Sequence, residues 1–342
     1  PRPGWDKLYE WSGYVPFDEM PYLYNPPEGY ISTANNRTIG NEFPYYISGL
    51  WADPSRSSRI KEVLEEEKKV GLEDMKALQL DLTSNYSKEI LPFILEHAGG
   101  IENPKFKRAI KFLKDWNNIE SIDSEGTLIF HSISNQIIQN VYYDELSVLG
   151  DKYFETFIGL KYITKRNLRN ILRNNTNKWV DDIRTPNKIE TIDEITTKSI
   201  ESGIQKVIDN YGPNWSNWKW GSAHSLTHKH ILGDVKILDY LFNLNIGPYL
   251  SGGSDVTPNA GGYSLLKGFN QTSGASMRRI VDFSDLNKTN MILPTGQSGL
   301  HNSPHYSDQA PLYHEGKYRV TYFDKDHIVS SPDFKHLRLI PK

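Results

Sequence analysis

Three histidines crowd one short segment: His224, His228 and His230 lie within Gly221-Ser222-Ala223-His224-Ser225-Leu226-Thr227-His228-Lys229-His230. Two histidines four apart can hold a metal from one face of a helix. Here the first His is not followed by the Glu of His-Glu-x-x-His, and the Gly, Ser and Thr around it disfavour a helix. Structural hydrogen bonding is therefore the expected role, and a metal hydrolase built on this cluster is the alternative. A second group, His301, Ser303, His305 and Asp308, has the residue types of a hydrolytic triad. Triads assemble in space, so proximity along the chain argues little. Gly296-Gln297-Ser298-Gly299-Leu300 also misses the Gly-x-Ser-x-Gly elbow, because its last position is Leu. Gly252-Gly253 and Gly261-Gly262 are isolated pairs that read as turns, and no phosphate-cradling loop appears. A serine hydrolase contained wholly in this chain is not expected.

The composition narrows the partners. The chain has 342 residues, 39 basic and 42 acidic, for a formal charge of -3. That balance gives no electrostatic basis for nucleic acid as a partner. The most charged stretch, Lys61 to Lys69, mixes both signs as a solvated helix face does. There is no cysteine, which excludes disulfides, thiol catalysis and Cys-ligated zinc. No apolar run approaches the roughly 18 residues of a membrane helix, so no membrane partner is expected. The opening Pro1-Arg2-Pro3-Gly4 reads as a cut or mature end. Asn-x-Ser/Thr sequences at Asn36, Asn85, Asn174, Asn214, Asn270 and Asn287 are read as chance in an Asn-rich chain.

Three stretches must position these groups. Residues 1–56 are aromatic and broken by Pro16, Pro21, Pro26, Pro27, Pro44 and Pro54, with a strand-like run over Gly29-Tyr30-Ile31-Ser32-Thr33. Residues 57–212 carry helical stripes: Ile60, Val63 and Leu64; Phe106, Ile110 and Leu113; Phe154, Phe157 and Ile158; Ile200, Ile204, Val207 and Ile208. Thr191-Ile192-Asp193-Glu194 predicts the start of the last helix and Tyr211-Gly212-Pro213 its end. Residues 213–342 return to Gly, Ser, Asn and aromatics, with strands expected over Met277 to Phe283 and Met291 to Leu293. The expected architecture is α+β: a helical excursion from one β core, with both ends of the chain meeting in the same sheets.

Two blocks of residues resemble the penicillin acylase (penicillin amidase) family of N-terminal-nucleophile hydrolases. The first runs Glu10-Trp11-Ser12-Gly13-Tyr14-Val15-Pro16-Phe17, Asn25-Pro26-Pro27-Glu28-Gly29-Tyr30-Ile31, Thr33-Ala34-Asn35-Asn36-Arg37, Trp51 and Arg56-Ser57-Ser58-Arg59-Ile60. The second holds Ser276-Met277-Arg278-Arg279-Ile280-Val281-Asp282, then Gly296-Gln297-Ser298-Gly299, Ser303-Pro304-His305-Tyr306 and Asp308-Gln309. Trp220-Gly221 with His224 is similar to the segment just upstream. The specificity lies in the order and spacing of these pieces.

The resemblance implies a four-layer αββα sandwich with a large helical insertion, of which this chain is the C-terminal portion of the large chain. It implies amide hydrolysis through an acyl-enzyme on an N-terminal Ser, whose own α-amine is the base. By the same resemblance Asn35 supplies an oxyanion-hole amide, Arg56 orders the site, and Trp51, with Gly49, lies near the acyl pocket. Arg59 offers a competing alignment for the arginine, and the Asn35-Asn36 pair also reads as a turn. Pro1 carries no side-chain nucleophile, so the chain alone is expected to be inactive and to need the remaining acylase segment as partner, with a small acylated amide as substrate. No cofactor is assigned to this chain; calcium is left to the complete enzyme, since Phe43-Pro44-Tyr45-Tyr46-Ile47 stands where some members supply an Asp. An extracellular or periplasmic location is expected because relatives are exported. The competing reading is a non-catalytic binding module built on 41 aromatic residues.

Overall fold

The computed structural model describes residues 3–66, 69–173, 178–332 and 334–341. Pro1, the Asn174 acceptor, and Glu67 and Lys68 of the charged stretch lie outside the described residues.

Helices dominate from Ser55 to Ala223. They are α1 (Ser55–Glu66), α2 (Leu72–Gln79), α3 (Asn85–His97), α4 (Pro104–Asp115), α5 (Glu125–Val148), α6 (Asp151–Gly159), α7 (Lys161–Arg173), α8 (Ile192–Tyr211) and the single turn α9 (Trp220–Ala223). Each of the four stripes read from the sequence falls on one of them. The start of α8 is a capping box: Thr191 accepts from the Glu194 backbone N–H while the Glu194 carboxylate accepts from that of Thr191. Gly212 ends it at φ 79°, a conformation a side chain would resist. In α4, Asn103 caps the first turn, Pro104 occupies the position that needs no N–H, and Phe106, Ala109, Ile110 and Leu113 are buried.

The longest helix, α5, has no apolar stripe because it is surrounded. Sixteen of its 24 residues are buried, including Leu128, Ile129, Phe130, Ile133, Ile137 and Ile138. A helix enclosed by others loses amphipathic periodicity, which is why the sequence reading passed over it. Its closest neighbour is α8. A Cβ at Gly203 would come within 2.8 Å of the Ile133 Cα, so glycine permits this approach. Ser132 Oγ donates to the Gly203 carbonyl at 2.8 Å across the same seam.

All seven strands among the described residues follow Ala223. β1 (Ser225–His228) precedes a short helix, α10 (Lys236–Phe242), and then come β2 (Ile246–Leu250), β3 (Gly261–Ser264), β4 (Gly268–Gly274), β5 (Arg278–Ile280) and β6 (Thr289–Ile292). The chain continues through α11 (Ala310–His314), β7 (Arg319–Thr321) and α12 (Lys325–Ser330). One sheet has the order β2-β1-β4-β3, with β1 and β4 parallel and the other pairs antiparallel; the second is the antiparallel β5-β6-β7. The fold is α+β, as expected.

The expected strand over residues 29–33 is not formed, and no described residue before Ser55 pairs in a sheet. A strand exists only where another backbone accepts its N–H and C=O groups. Within the described residues no neighbour is offered to this segment, and the eight prolines of residues 1–56 remove donors from the surrounding chain. The two ends of the chain therefore do not share a sheet here. Instead the segment is exposed, with Trp5, Trp11, Tyr14 and Phe17 each at least 88% accessible.

Candidate active site

Asn35 and Arg56, 21 residues apart in sequence, meet in space. Asn35 adopts a left-handed backbone at φ 63°, which Asn tolerates better than most residues, so the turn expected of the Asn-Asn pair is present. Asn36 completes it by accepting from the Ala34 N–H at 3.0 Å. The Asn35 carbonyl accepts from the Ala52 N–H at 2.8 Å, tying the turn to the chain just ahead of α1. From the first turn of α1, Arg56 Nη2 donates to the Ala34 carbonyl at 2.7 Å and to Asn35 Oδ1 at 3.0 Å. A guanidinium only donates, so the atom facing it must be the amide oxygen. The Asn35 Nδ2 is thereby turned away, and it makes no hydrogen bond to a described residue. What the geometry leaves is an exposed, neutral N–H donor of fixed orientation.

Arg59, the competing arginine, has another occupation. It pairs with Asp81 at 2.8 Å and with Glu62 at 3.4 Å, fastening α1 to the loop after α2. Tyr30 donates to Glu65 at 2.5 Å and holds the early segment against α1.

The stretch between Asn35 and Arg56 is gripped from α7. Arg166 donates to the Trp51 carbonyl at 3.3 Å and to the Gly49 carbonyl at 3.4 Å. Arg169 lies 3.1 Å from buried Asp53 and 2.9 Å from Glu89 of α3. Asp53 Oδ1 also accepts from the Ser55 N–H at 2.9 Å, which starts α1 one residue before Arg56. Trp51 is partly buried and takes its place through its backbone. Arg166→Met should cost about 1 kcal/mol, the worth of a long charge-assisted pair of hydrogen bonds. A urea titration of the full-length protein measures it, and an unchanged midpoint would remove Arg166 from this role.

Behind α7 lies a buried set of charges. Lys165 is in contact with Asp255, and its ammonium sits 4.8 Å from the Tyr263 ring. Burial pushes the Asp255 carboxyl up, but Lys165 and Lys161 outweigh it and hold the group below its ordinary range. On α5, His131 Nε2 is 3.1 Å from Glu120, and its Nδ1 is 3.0 Å from the Tyr263 hydroxyl. Burial raises the Glu120 carboxyl, yet the His131 charge and hydrogen bonding bring it below its usual value.

The three clustered histidines do not converge. His224 is fully buried, stacked on Trp220 at 4.6 Å, and its Nδ1 donates to the Phe269 carbonyl at 2.6 Å. Burial lowers it to about 4, so it is neutral. His230 Nδ1 accepts from the Leu232 N–H, and His228 faces His314, far along the sequence. Among the described residues no group of three or more His, Asp or Glu is arranged to hold a metal. The Ser303 hydroxyl accepts from the His305 N–H at 3.1 Å and caps a turn, while exposed His305 pairs with Asp308 at 3.0 Å. Ser298 Oγ likewise accepts from the Leu300 N–H.

This chain belongs to the penicillin amidase family, whose family model matches residues 1–330. It is 27% identical over 333 residues to "Acyl-homoserine lactone acylase QuiP" of Pseudomonas fluorescens (strain Pf0-1), covering 93% of this chain and 39% of that protein. It is 24% identical over 311 residues to "Penicillin acylase 2 proenzyme" of Pseudomonas sp. (strain SE83), covering 90% of this chain and 38% of that one. The chain thus spans about two-fifths of the length of these curated relatives. The solved thermostable penicillin G acylase from Alcaligenes faecalis shares the fold, with a TM-score of 0.58 at 15% identity, covering 97% of this chain and 61% of that one. The fold is that of the N-terminal-nucleophile hydrolases.

Proposed function

We propose that this chain is the C-terminal part of an acylase that hydrolyses a linear acyl amide through an acyl-enzyme. The observation that carries the reading is the Arg56–Asn35 hydrogen bond, which orients the Asn35 amide with its N–H₂ free. The nucleophile is an N-terminal Ser from the part of the protein outside this sequence, in keeping with the two-fifths of the relatives' length spanned here. As Ser attacks the carbonyl, the carbonyl oxygen becomes an oxyanion. Asn35 donates its N–H to that oxygen, strengthening as charge develops there. Arg56 acts on Asn35, holding the amide in one of its two flips. Trp51 lines the acyl pocket. The exposed apolar residues of 5–24, Trp11 and Tyr22 among them, form the face that the remaining acylase segment covers.

Acyl-homoserine lactones and acylated β-lactams are the substrate classes drawn from the relatives' names. No step is assigned to calcium; a calcium ion in the complete enzyme would draw largely on segments outside this sequence. We place the enzyme outside the cytoplasm, as membership of the penicillin amidase family suggests. The test is the full-length protein, with intact mass and N-terminal analysis of each polypeptide, assayed for free amine from both substrate classes. A processed chain beginning with Ser and amine release from either class is the expected result. A fully processed protein that releases no amine from any acyl amide overturns the reading.

A further inference from the structure

The strongest constellation outside the Asn35–Arg56 site is a pair of histidines from distant parts of the chain. His228 ends β1 and His314 ends α11, 86 residues later, yet their Nε2 atoms lie 3.1 Å apart. Both rings are set by neighbours. His314 is stacked on Tyr249 of β2, with centroids 4.0 Å apart and planes 11° from parallel. The Tyr313 ring meets both imidazoles edge-on, at 5.3 Å and 6.4 Å. Burial keeps His228 below its ordinary value, and burial, reinforced by the closeness of His228 and Arg278, takes His314 to about 4.

Two neutral imidazoles facing each other through Nε2 hold at most one hydrogen between them. If each carries its proton on Nδ1, two lone pairs point into the same small space. Two nitrogens bound to one zinc-like ion at about 2.0–2.1 Å, with an angle between square and tetrahedral, lie roughly 2.8–3.4 Å apart. The observed 3.1 Å falls inside that window without movement. His228 borders a cavity of about 550 Å³ shared with Gln271, Ser273 and Tyr313, and His314 borders one of about 340 Å³. Both cavities have room for waters to complete a coordination shell.

We propose that His228 and His314 form a two-histidine site for a borderline divalent transition metal of the zinc, copper or nickel class. Imidazole suits these ions, and the absence of a nearby carboxylate pair disfavours calcium or magnesium. The ion is a staple, joining the four-stranded sheet through β1 to α11, which leads into the three-stranded sheet through β7. It takes no part in amide hydrolysis, and the proposal stands apart from the acylase reading.

The test uses the full-length protein stripped with chelator, then equilibrated with zinc and dialysed. The wild type is expected to retain one ion more per chain than His228→Gln or His314→Gln, each compared in the metal-free state to verify folding by its melting temperature. Copper bound to the wild type is read by electron paramagnetic resonance, where coupling to two equivalent imidazole nitrogens is expected. That spectrum decides the matter even if a variant fails to fold. Equal zinc retention by wild type and folded variants, or a copper signal with one nitrogen or none, overturns the site.

Discussion

Asn35→Ala in the complete acylase is expected to lower kcat by roughly 10²–10³-fold, the usual loss of one preorganised oxyanion donor. The free Nδ2 is the only part of the side chain offered to a substrate, since Oδ1 is occupied by Arg56. The oxyanion forms only after attack, so the loss belongs in kcat with KM little changed. Asn35→Asp is the sharper variant. It keeps the acceptor for Arg56 and replaces the donor with a charge repelling the oxyanion, so its rate should be no better than that of Ala. Steady-state kinetics on fully processed enzyme reads both. A rate within a few-fold of wild type for Asn35→Ala would remove the residue from the oxyanion hole.

Asp255→Ala is expected to be the most destabilising single change outside the apolar core, at about 3–5 kcal/mol. It leaves Lys165, only 4% exposed, as a buried ammonium without its counter-ion. Replacing both partners with apolar residues of similar volume should recover most of the loss, because the desolvation cost disappears with the charges. The pH dependence has a definite sign. The folded Asp255 pKa is depressed, so its contribution is complete above its ordinary 3.8 and is lost as pH falls through the folded value. Glu120 behaves the same way from its ordinary 4.5. For Lys165 burial lowers the pKa, but Asp255 outweighs it and the folded value is raised; that contribution is complete below 10.5 and lost as pH rises through the folded value. Denaturant midpoints across pH should therefore show a plateau through neutrality that Asp255→Ala flattens and lowers.

The sequence was legible where one side of an element faces water. The stripes on α4 and α8 were visible because half of each helix is solvated, and the caps of α8 were visible from their residue types. On α5 the same logic had nothing to read, since apolar and buried polar residues alternate around the whole helix. Asn35 and Arg56 emerged from flanking residues that resemble a family, and the structure joined them by one hydrogen bond. Arg166, Arg169, Asp53 and Lys165 carried no local signal. Their long-range partners lie 80 to 117 residues away, and an arginine on a helix reads as a solvated face until its partner is known. The strand expected over 29–33 failed for a related reason, because a strand is a property of two segments and only one was on the page.

The grip of Arg166 has a consequence for how such a chain can diverge. It holds Gly49 and Trp51 by their carbonyl oxygens, which every residue type possesses. The identities of the side chains at 49, 50 and 51 are thus uncoupled from the bond that fixes their path. Substitutions there can resculpt whatever the loop touches while the Asn35–Arg56 geometry is inherited unchanged. A lineage built this way can vary that surface by single steps, without first repairing the frame that holds the Asn35 amide in place.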